Sequence, residues 1–376
     1  MTDDAGFPNP LADLAARIRD RIREDGPLTF AQFMETALYD PELGFYARPP
    51  VGGGRDFVTS PHVSPAFGVL VARQLEEFWD LLGKPEPFWV VEVGAGDGTL
   101  AGQILDFMNP ETRQAIRYVA VERSAAARRA MEGLDALVLA DVQEVPPGLV
   151  GCVLANELLD NLPFHRLRGA AGGPVELHVG LEGDPRDPNA AFVLVEGPVS
   201  NVQAAEMVPD LAPGDEAVVG LAALDLLDQA TALIDKGYLW LVDYGFTGGR
   251  RSSSVHGYRA HRVVDDILSQ PGATDITAGV DFDSLAEHLR RAGHTVWGPV
   301  SQRDVLIALG YRRLDEDARV RQLGAAETGR RIEATRIYAA RGKATLLVDP
   351  TALGGFLVLC AGVGIDVSPG FARKVG

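Results

Sequence analysis

The sequence predicts an α/β fold: a mostly parallel sheet flanked by helices, preceded by a helical segment and interrupted by a β-rich insertion. Three observations predict it. From Phe88 onward, runs of β-prone residues alternate with helical periodicity, the pattern of a parallel sheet with right-handed crossovers. The first run, Phe88 to Val93, is followed by three alternate glycines, Gly94, Gly96 and Gly98, where a strand hands over to a helix and a ligand sits. Residues 163–218 replace that rhythm with short apolar strands between glycine and proline turns.

Composition bounds the rest. The chain has 376 residues, 46% of them hydrophobic, enough for a substantial core in one large domain with insertions or in two domains. Its 52 acidic and 35 basic residues give a formal charge of −17, a field that repels phosphate backbones and excludes nucleic acid as partner. A cationic partner suits it. The two cysteines, Cys152 and Cys360, stand in apolar runs and read as reduced core residues. No apolar run reaches the roughly 18 to 20 residues that span a bilayer, so no membrane is expected. Met1-Thr2-Asp3-Asp4 resembles neither a secretory signal nor a transit peptide, so a cytoplasmic location is expected.

In chain order, Leu11, Leu14, Ile18 and Ile22 set an amphipathic helix over 11–24, and Gly26-Pro27 breaks it. Thr29 can cap a second helix through Phe30, Phe33, Met34, Ala37 and Leu38. Asp40 to Gly44 reads as a turn. A flexible stretch, Pro49 to Phe57, then leads past Val58-Thr59-Ser60-Pro61 into a helix ending near Leu82, the arrangement of a lid. The core begins at Phe88. Strand Phe88 to Val93 precedes helix Thr99 to Met108, and strand Ile116 to Val121 ends at Glu122 before helix Ala125 to Met131. Strand Ala136 to Leu139 ends at Asp141, and strand Gly151 to Ala155 at Asn156-Glu157. After the insertion come helix Leu221 to Ile234 and strand Tyr238 to Val242, ending at Asp243-Tyr244-Gly245-Phe246. Residues 247–280 read as a long irregular active-site segment. Helix Asp283 to Arg291 and strands His294 to Val300 and Ala344 to Val348 are expected to close the sheet around a helical insertion. The organisation is therefore an N-terminal helical or lid segment (1–84), a first core half (85–162), a β-rich insertion capping the substrate (163–220) and a second core half with helical insertions (221–376).

The strand ends carry the chemistry. A dinucleotide loop wants its third glycine at position 99, where this chain has Thr99. With Glu92 ahead and glycines at every second position, the loop looks more like the S-adenosylmethionine (SAM) loop of class I methyltransferases. Glu122 stands 24 residues past Gly98, where an acid accepts both ribose hydroxyls of an adenosine cofactor. Asp141 suits the adenine exocyclic amine, with the Val142 N–H beside it. SAM carries no phosphate, so acidic walls fit its sulfonium and ammonium better than a pyrophosphate. Asn156, Glu157 and Asp160 would face the methyl group; if the nucleophile is a guanidinium, Glu157 is the carboxylate to hold it and draw its charge onto one nitrogen. His62, His165, His256 and His261 form neither a nucleophile–base set nor a metal spacing.

From about Gly26 to Leu314 the chain resembles the MidA-like family of SAM-dependent methyltransferases, which includes the mitochondrial complex I assembly factor protein arginine methyltransferases. The resemblance rests on Gly26-Pro27 with Phe33-Met34, Gly44-Phe45-Tyr46, Asp56 to Pro61 leading to Phe67-Gly68, and Glu92 to Thr99. It continues through Ala155-Asn156-Glu157-Leu158-Leu159-Asp160-Asn161-Leu162-Pro163, Asp243-Tyr244-Gly245, Asp275 to Ala278 with Val280-Asp281-Phe282, and Gly298-Pro299 before Gln302. It implies a class I, Rossmann-like, seven-stranded core with SAM bound by Glu92, Gly94, Ala95, Gly96, Asp97, Gly98, Glu122, Asp141, Val142 and Asn156. It also implies closure of Thr59, Ser60 and Pro61 over the cofactor, and the asparagine–glutamate pair at Asn156 and Glu157. The acceptor it implies is a protein arginine; a small-molecule oxygen or nitrogen acceptor and a non-catalytic SAM-binding assembly factor are the alternatives. A homodimer is a further expectation. The chain departs from the family at Ala95 and Asp97, where many members carry proline and arginine, and at His62, which replaces a glutamate and removes one acid from the expected acceptor site.

Overall fold

The computed structural model describes residues 10–47, 59–248, 254–259 and 262–375. The glycine stretch at 52–54 and Asp56-Phe57-Val58 lie outside them, as does His261. Seven strands form the central sheet: β1 (Phe88–Val93), β2 (Ile116–Val121), β3 (Leu137–Leu139), β4 (Leu149–Asn156), β5 (Ile234–Asp243), β6 (Thr295–Ser301) and β7 (Leu357–Val363). Their order is β3-β2-β1-β4-β5-β7-β6. β7 runs antiparallel to both neighbours, while β1 through β5 pair parallel.

Both faces of the sheet are covered, so its central strands are apolar without alternation. Val90, Cys152, Tyr238, Trp240 and Cys360 pack toward the helices Ala66–Leu81 and Thr99–Phe107. Val91, Val153, Leu239, Leu241 and Leu359 pack on the other face against helices Leu221–Leu233 and Phe282–Arg291. Both cysteines are buried and free.

Two expectations are corrected here. Ala344 to Val348 is not a strand: Ala344 ends the helix Arg331–Ala344, and Thr345–Leu347 continue it as a 3-10 turn. Ala344 and Leu347 are buried three residues apart while Leu346 is 42% exposed, which is helical spacing. The closing strand is β7, whose run Leu-Val-Leu-Cys-Ala-Gly-Val lies between β5 and β6. Residues 247–280 are not simply irregular either. Val255–Arg259, Arg262–Val264 and Asp275–Ala278 form a three-stranded antiparallel sheet.

The 163–220 stretch contributes strands His165–Arg168, Val175–Leu181, Phe192–Gly197 and Glu216–Val219 to a separate antiparallel sheet. Leu28–Thr29 of the N-terminal segment joins it, pairing with Val179 and His178. Phe30 stacks on Phe164 at 5.4 Å and Phe33 meets Phe192 at 5.9 Å, so the N-terminal helices and the insertion share one core. Thr29 caps helix Phe30–Tyr39 through a reciprocal box: its hydroxyl accepts from the Gln32 N–H at 3.1 Å, and the Gln32 side chain accepts from the Thr29 N–H at 3.0 Å. Among the described residues no helix is long and apolar enough to cross a membrane. Replacing Thr29 by Ala removes one half of the box, and chemical denaturation should report a loss of about 1 kcal/mol; an unchanged midpoint would mean the cap contributes nothing.

Candidate active site

The strand order reverses between β1 and β4, so the crevice beyond their carboxyl ends is where a ligand belongs. A cavity of about 1070 Å³ occupies that place. One half is walled by Val93, Gly94, Gly96, Glu122, Asp141 and Val142, the other by Tyr39, Tyr46, Glu157, Asp160, Tyr258 and Asp275.

In the first half, Gly94 and Gly96 hold φ of 76° and 59°, a left-handed path that glycine takes without strain. Gly94 also has no room for a side chain, since a Cβ would stand 2.8 Å from Leu158 Cδ1. Glu122 is fixed by the backbone it faces: the Gly96 N–H donates to one carboxyl oxygen at 2.9 Å and the Ser124 N–H to the other at 2.8 Å. Asp141 caps the 3-10 turn Val142–Glu144, accepting from the Gln143 N–H at 2.9 Å.

Several sequence-selected residues lie behind this wall rather than on it. Glu92 is 3% exposed and shares a strand face with Phe88 and Val90; Tyr118 donates to it at 2.7 Å, and burial pushes its pKa up to about 8. Ala95 packs with Ala120 and Met131. Gly98 is the N-cap of helix Thr99–Phe107, and a Cβ there would meet Met131 Cγ at 2.6 Å. Asp97 accepts from the Thr99 N–H at 3.1 Å and pairs with His62 Nε2 at 2.9 Å, while His62 Nδ1 lies 2.7 Å from the Thr59 hydroxyl. His62 therefore does not occupy the acceptor side, contrary to the sequence expectation. Its imidazole ties the Thr59–Ser60–Pro61 segment to the glycine loop. Of that segment Thr59 lines the cavity, whereas Ser60 and Pro61 are buried against the core.

In the second half, Glu157 is the one non-glycine residue of the cavity wall with positive φ, at 52°. One carboxyl oxygen accepts from the Ser60 N–H at 2.7 Å and from Asn156 Nδ2 at 3.3 Å. Burial pushes its pKa up to about 7, against those hydrogen bonds. Asp160 takes the Thr277 hydroxyl on Oδ2 at 2.8 Å, and its carboxyl interacts with that of Asp243, which burial and this neighbour hold well above the usual carboxylate range. Burial raises the pKa of Asp160 to about 6. Asp275 accepts from Tyr46 Oη and from Asn161 Nδ2, each at 2.9 Å. Tyr39 stacks on Tyr46 at 5.4 Å, and the Arg123 guanidinium, paired with Glu35, lies 4.6 Å over the Tyr39 ring.

Tyr39, Tyr46, Tyr258 and Asp275 were not selected as site residues from sequence. Tyr46 and Asp275 stand in motifs noted there, but only the three-stranded sheet places Asp275 and Tyr258 opposite each other in register.

The donor set fits SAM. A carboxylate offers about four acceptor positions for ribose hydroxyls, and Glu122 presents one at the second strand end. Asn156 is not among the residues lining the cavity; it lies behind Glu157, with a buried Oδ1 that has no hydrogen-bond partner. This sheet order, with an alternate-glycine loop after the first strand and an acid after the second, defines a class I SAM-dependent methyltransferase.

Comparison with known proteins agrees. Residues 70–300 match the family model described as "Putative S-adenosyl-L-methionine-dependent methyltransferase". The chain is 30% identical to the protein arginine methyltransferase NDUFAF7 of Xenopus tropicalis, over 77% of this chain and 74% of that one. It is 28% identical to the human protein of that name, over 80% and 74%. A crystal structure from Burkholderia thailandensis, bound to S-adenosyl-homocysteine, superposes with a TM-score of 0.83 at 26% identity, covering 100% of this chain and 98% of that one. The chain belongs to the MidA-like family of SAM-dependent methyltransferases, and SAM is its cofactor.

Replacing Glu122 by Gln keeps the shape but loses the charge and one acceptor face. Titration calorimetry should show S-adenosyl-homocysteine binding weakened about tenfold or more, the value of a charge-assisted hydrogen bond. Wild-type affinity in the variant would remove Glu122 from the cofactor site.

Proposed function

We propose that the chain methylates the guanidinium of arginine side chains in proteins. The observation that carries this reading is the pair of buried carboxyls, Glu157 and Asp160, on a cavity wall shared with tyrosine side chains. Two carboxyls and the lining rings of Tyr46 and Tyr258 suit a planar cation: the acids accept its N–H groups, and the aromatic wall favours its charge. The names of the relatives, protein arginine methyltransferases, support the same acceptor.

When bound, SAM supplies a methyl group on a positively charged sulfur. The chain's own residues aim the acceptor and manage its proton. A free guanidinium has a pKa above 12 and a delocalised charge, so it is a poor nucleophile. Glu157 and Asp160 would draw that charge toward the nitrogens they hold and expose the remaining one. The attacking nitrogen must lose a proton, and a carboxyl with a pKa of about 7 can take it at neutral pH.

The test is methyl transfer from tritiated SAM into extract proteins, with the modified residue located by mass spectrometry. Methylarginine is the expected product. Label appearing in small molecules but in no protein would overturn the reading. Glu157→Gln should lower turnover at least about 100-fold, the usual contribution of a positioned acid–base group; unchanged turnover would leave no role for Glu157.

The raised pKa gives a second check. Activity should fall as pH drops through about 7, where Glu157 takes up a proton. Stability runs the other way. The fold favours the protonated carboxyl, so that contribution is present at low pH and is lost as pH rises from the ordinary 4.5 through about 7. Glu157→Gln should therefore melt higher than wild type at pH 8, with the gap closing toward pH 5. An equal gap at both pH values would contradict it.

A further inference from the structure

The motif Asp243-Tyr244-Gly245 at the end of β5 has no part in the chemistry above, yet the Asp243 side chain is enclosed to 1% exposure. Four backbone N–H groups converge on it. Oδ2 accepts from Leu158 at 3.0 Å, Leu159 at 2.6 Å and Asp160 at 3.4 Å, and Oδ1 accepts from Tyr244 at 2.7 Å. The three amides on Oδ2 open the 3-10 turn Leu159–Asn161, whose N-cap, Leu158, provides no side-chain cap. A turn of that kind needs its first amides satisfied from elsewhere. Asp243 reaches it across the β4–β5 pairing, where Val242 stands opposite Asn156. The preceding residue completes the grip, for the Glu157 N–H donates to the Val242 carbonyl at 2.8 Å.

This turn carries both acids of the acceptor half. Glu157 sits at its entrance in a left-handed conformation that costs energy for any residue but glycine, and such a conformation persists only where its surroundings hold it. Asp160 is its second residue. We propose that Asp243 is a positioning residue for methyl transfer: its carboxyl group fixes the backbone of residues 157–160, and through it the directions of Glu157 and Asp160. The proposal rests on reading those two side chains as the groups that hold the acceptor. A hydroxyl or an aliphatic residue at 243 would leave buried amides unpaired. An asparagine would set an N–H₂ donor against at least one of the four N–H groups. A carboxyl group sets two acceptor oxygens against all four.

The test uses the full chain carrying Asp243→Asn and, separately, Asp243→Glu. Hydrogen exchange followed by mass spectrometry reads the turn without any acceptor. In Asp243→Asn the amides of Leu158, Leu159 and Asp160 should exchange at least about tenfold faster, while β1 and β2 stay protected. Turnover is then measured with tritiated SAM and a peptide holding one arginine between glycines. We expect kcat to fall about 100-fold or more with the KM for SAM within about threefold, and Asp243→Glu to recover at least about tenfold of the loss. A general structural role would instead raise exchange across the sheet and weaken SAM binding equally in both variants, and that result overturns the proposal. Unchanged exchange in Asp243→Asn overturns it too, whatever the acceptor is. If exchange rises in the turn while Glu157→Gln keeps full turnover, the acceptor reading fails and the proposal falls with it, but by a different measurement.

Discussion

A parallel sheet that winds outward in both directions from its middle leaves a crevice at the carboxyl ends of the two central strands. No helix can cover that crevice, because the crossovers on either side depart from it. In this chain the constraint falls between β1 and β4. What fills the gap comes from far away in sequence: helix Phe30–Tyr39, the Thr59–Pro61 segment and the strand Asp275–Ala278. The core supplies the cofactor half and the added pieces supply the acceptor half. Glu157 stands where they meet, rooted in β4 and hydrogen-bonded to Ser60 from the N-terminal segment.

The core was legible because its strands are long and apolar and its glycine loop has few alternatives. Glu122 and Asp141 followed from their positions after strands. Glu92 was legible too, had its parity been used. It is two and four residues from Val90 and Phe88, so a strand that buries those two buries the acid with them. β7 was missed although its run is as apolar as those of the other core strands, because the Ala344 to Val348 run just before it looked equally β-prone but continues a helix. The aromatic and acidic wall at Tyr39, Tyr46, Tyr258 and Asp275 could not be read from spacing. It depends on tertiary pairings that spacing does not show, such as Tyr46 with Asp275, 229 residues apart.

Two departures from the family pattern turn out to be one. His62 and Asp97, each odd alone, lie 2.9 Å apart. The histidine of the N-terminal segment and the acid of the glycine loop therefore form a single contact between those two elements. Neither side chain lines the cavity.

The pairing of Leu28–Thr29 with Val179 and His178 ties the start of the chain to a strand about 150 residues later. Closing a loop of that length is slow relative to the local pairings of the core, and it must precede any contact that would repay it. The strands around the cofactor loop pair within residues 88–156, whereas the wall holding Tyr39 and Tyr46 belongs to a segment tied down by this longer closure, so the two halves of the cavity depend on chain closures of different length.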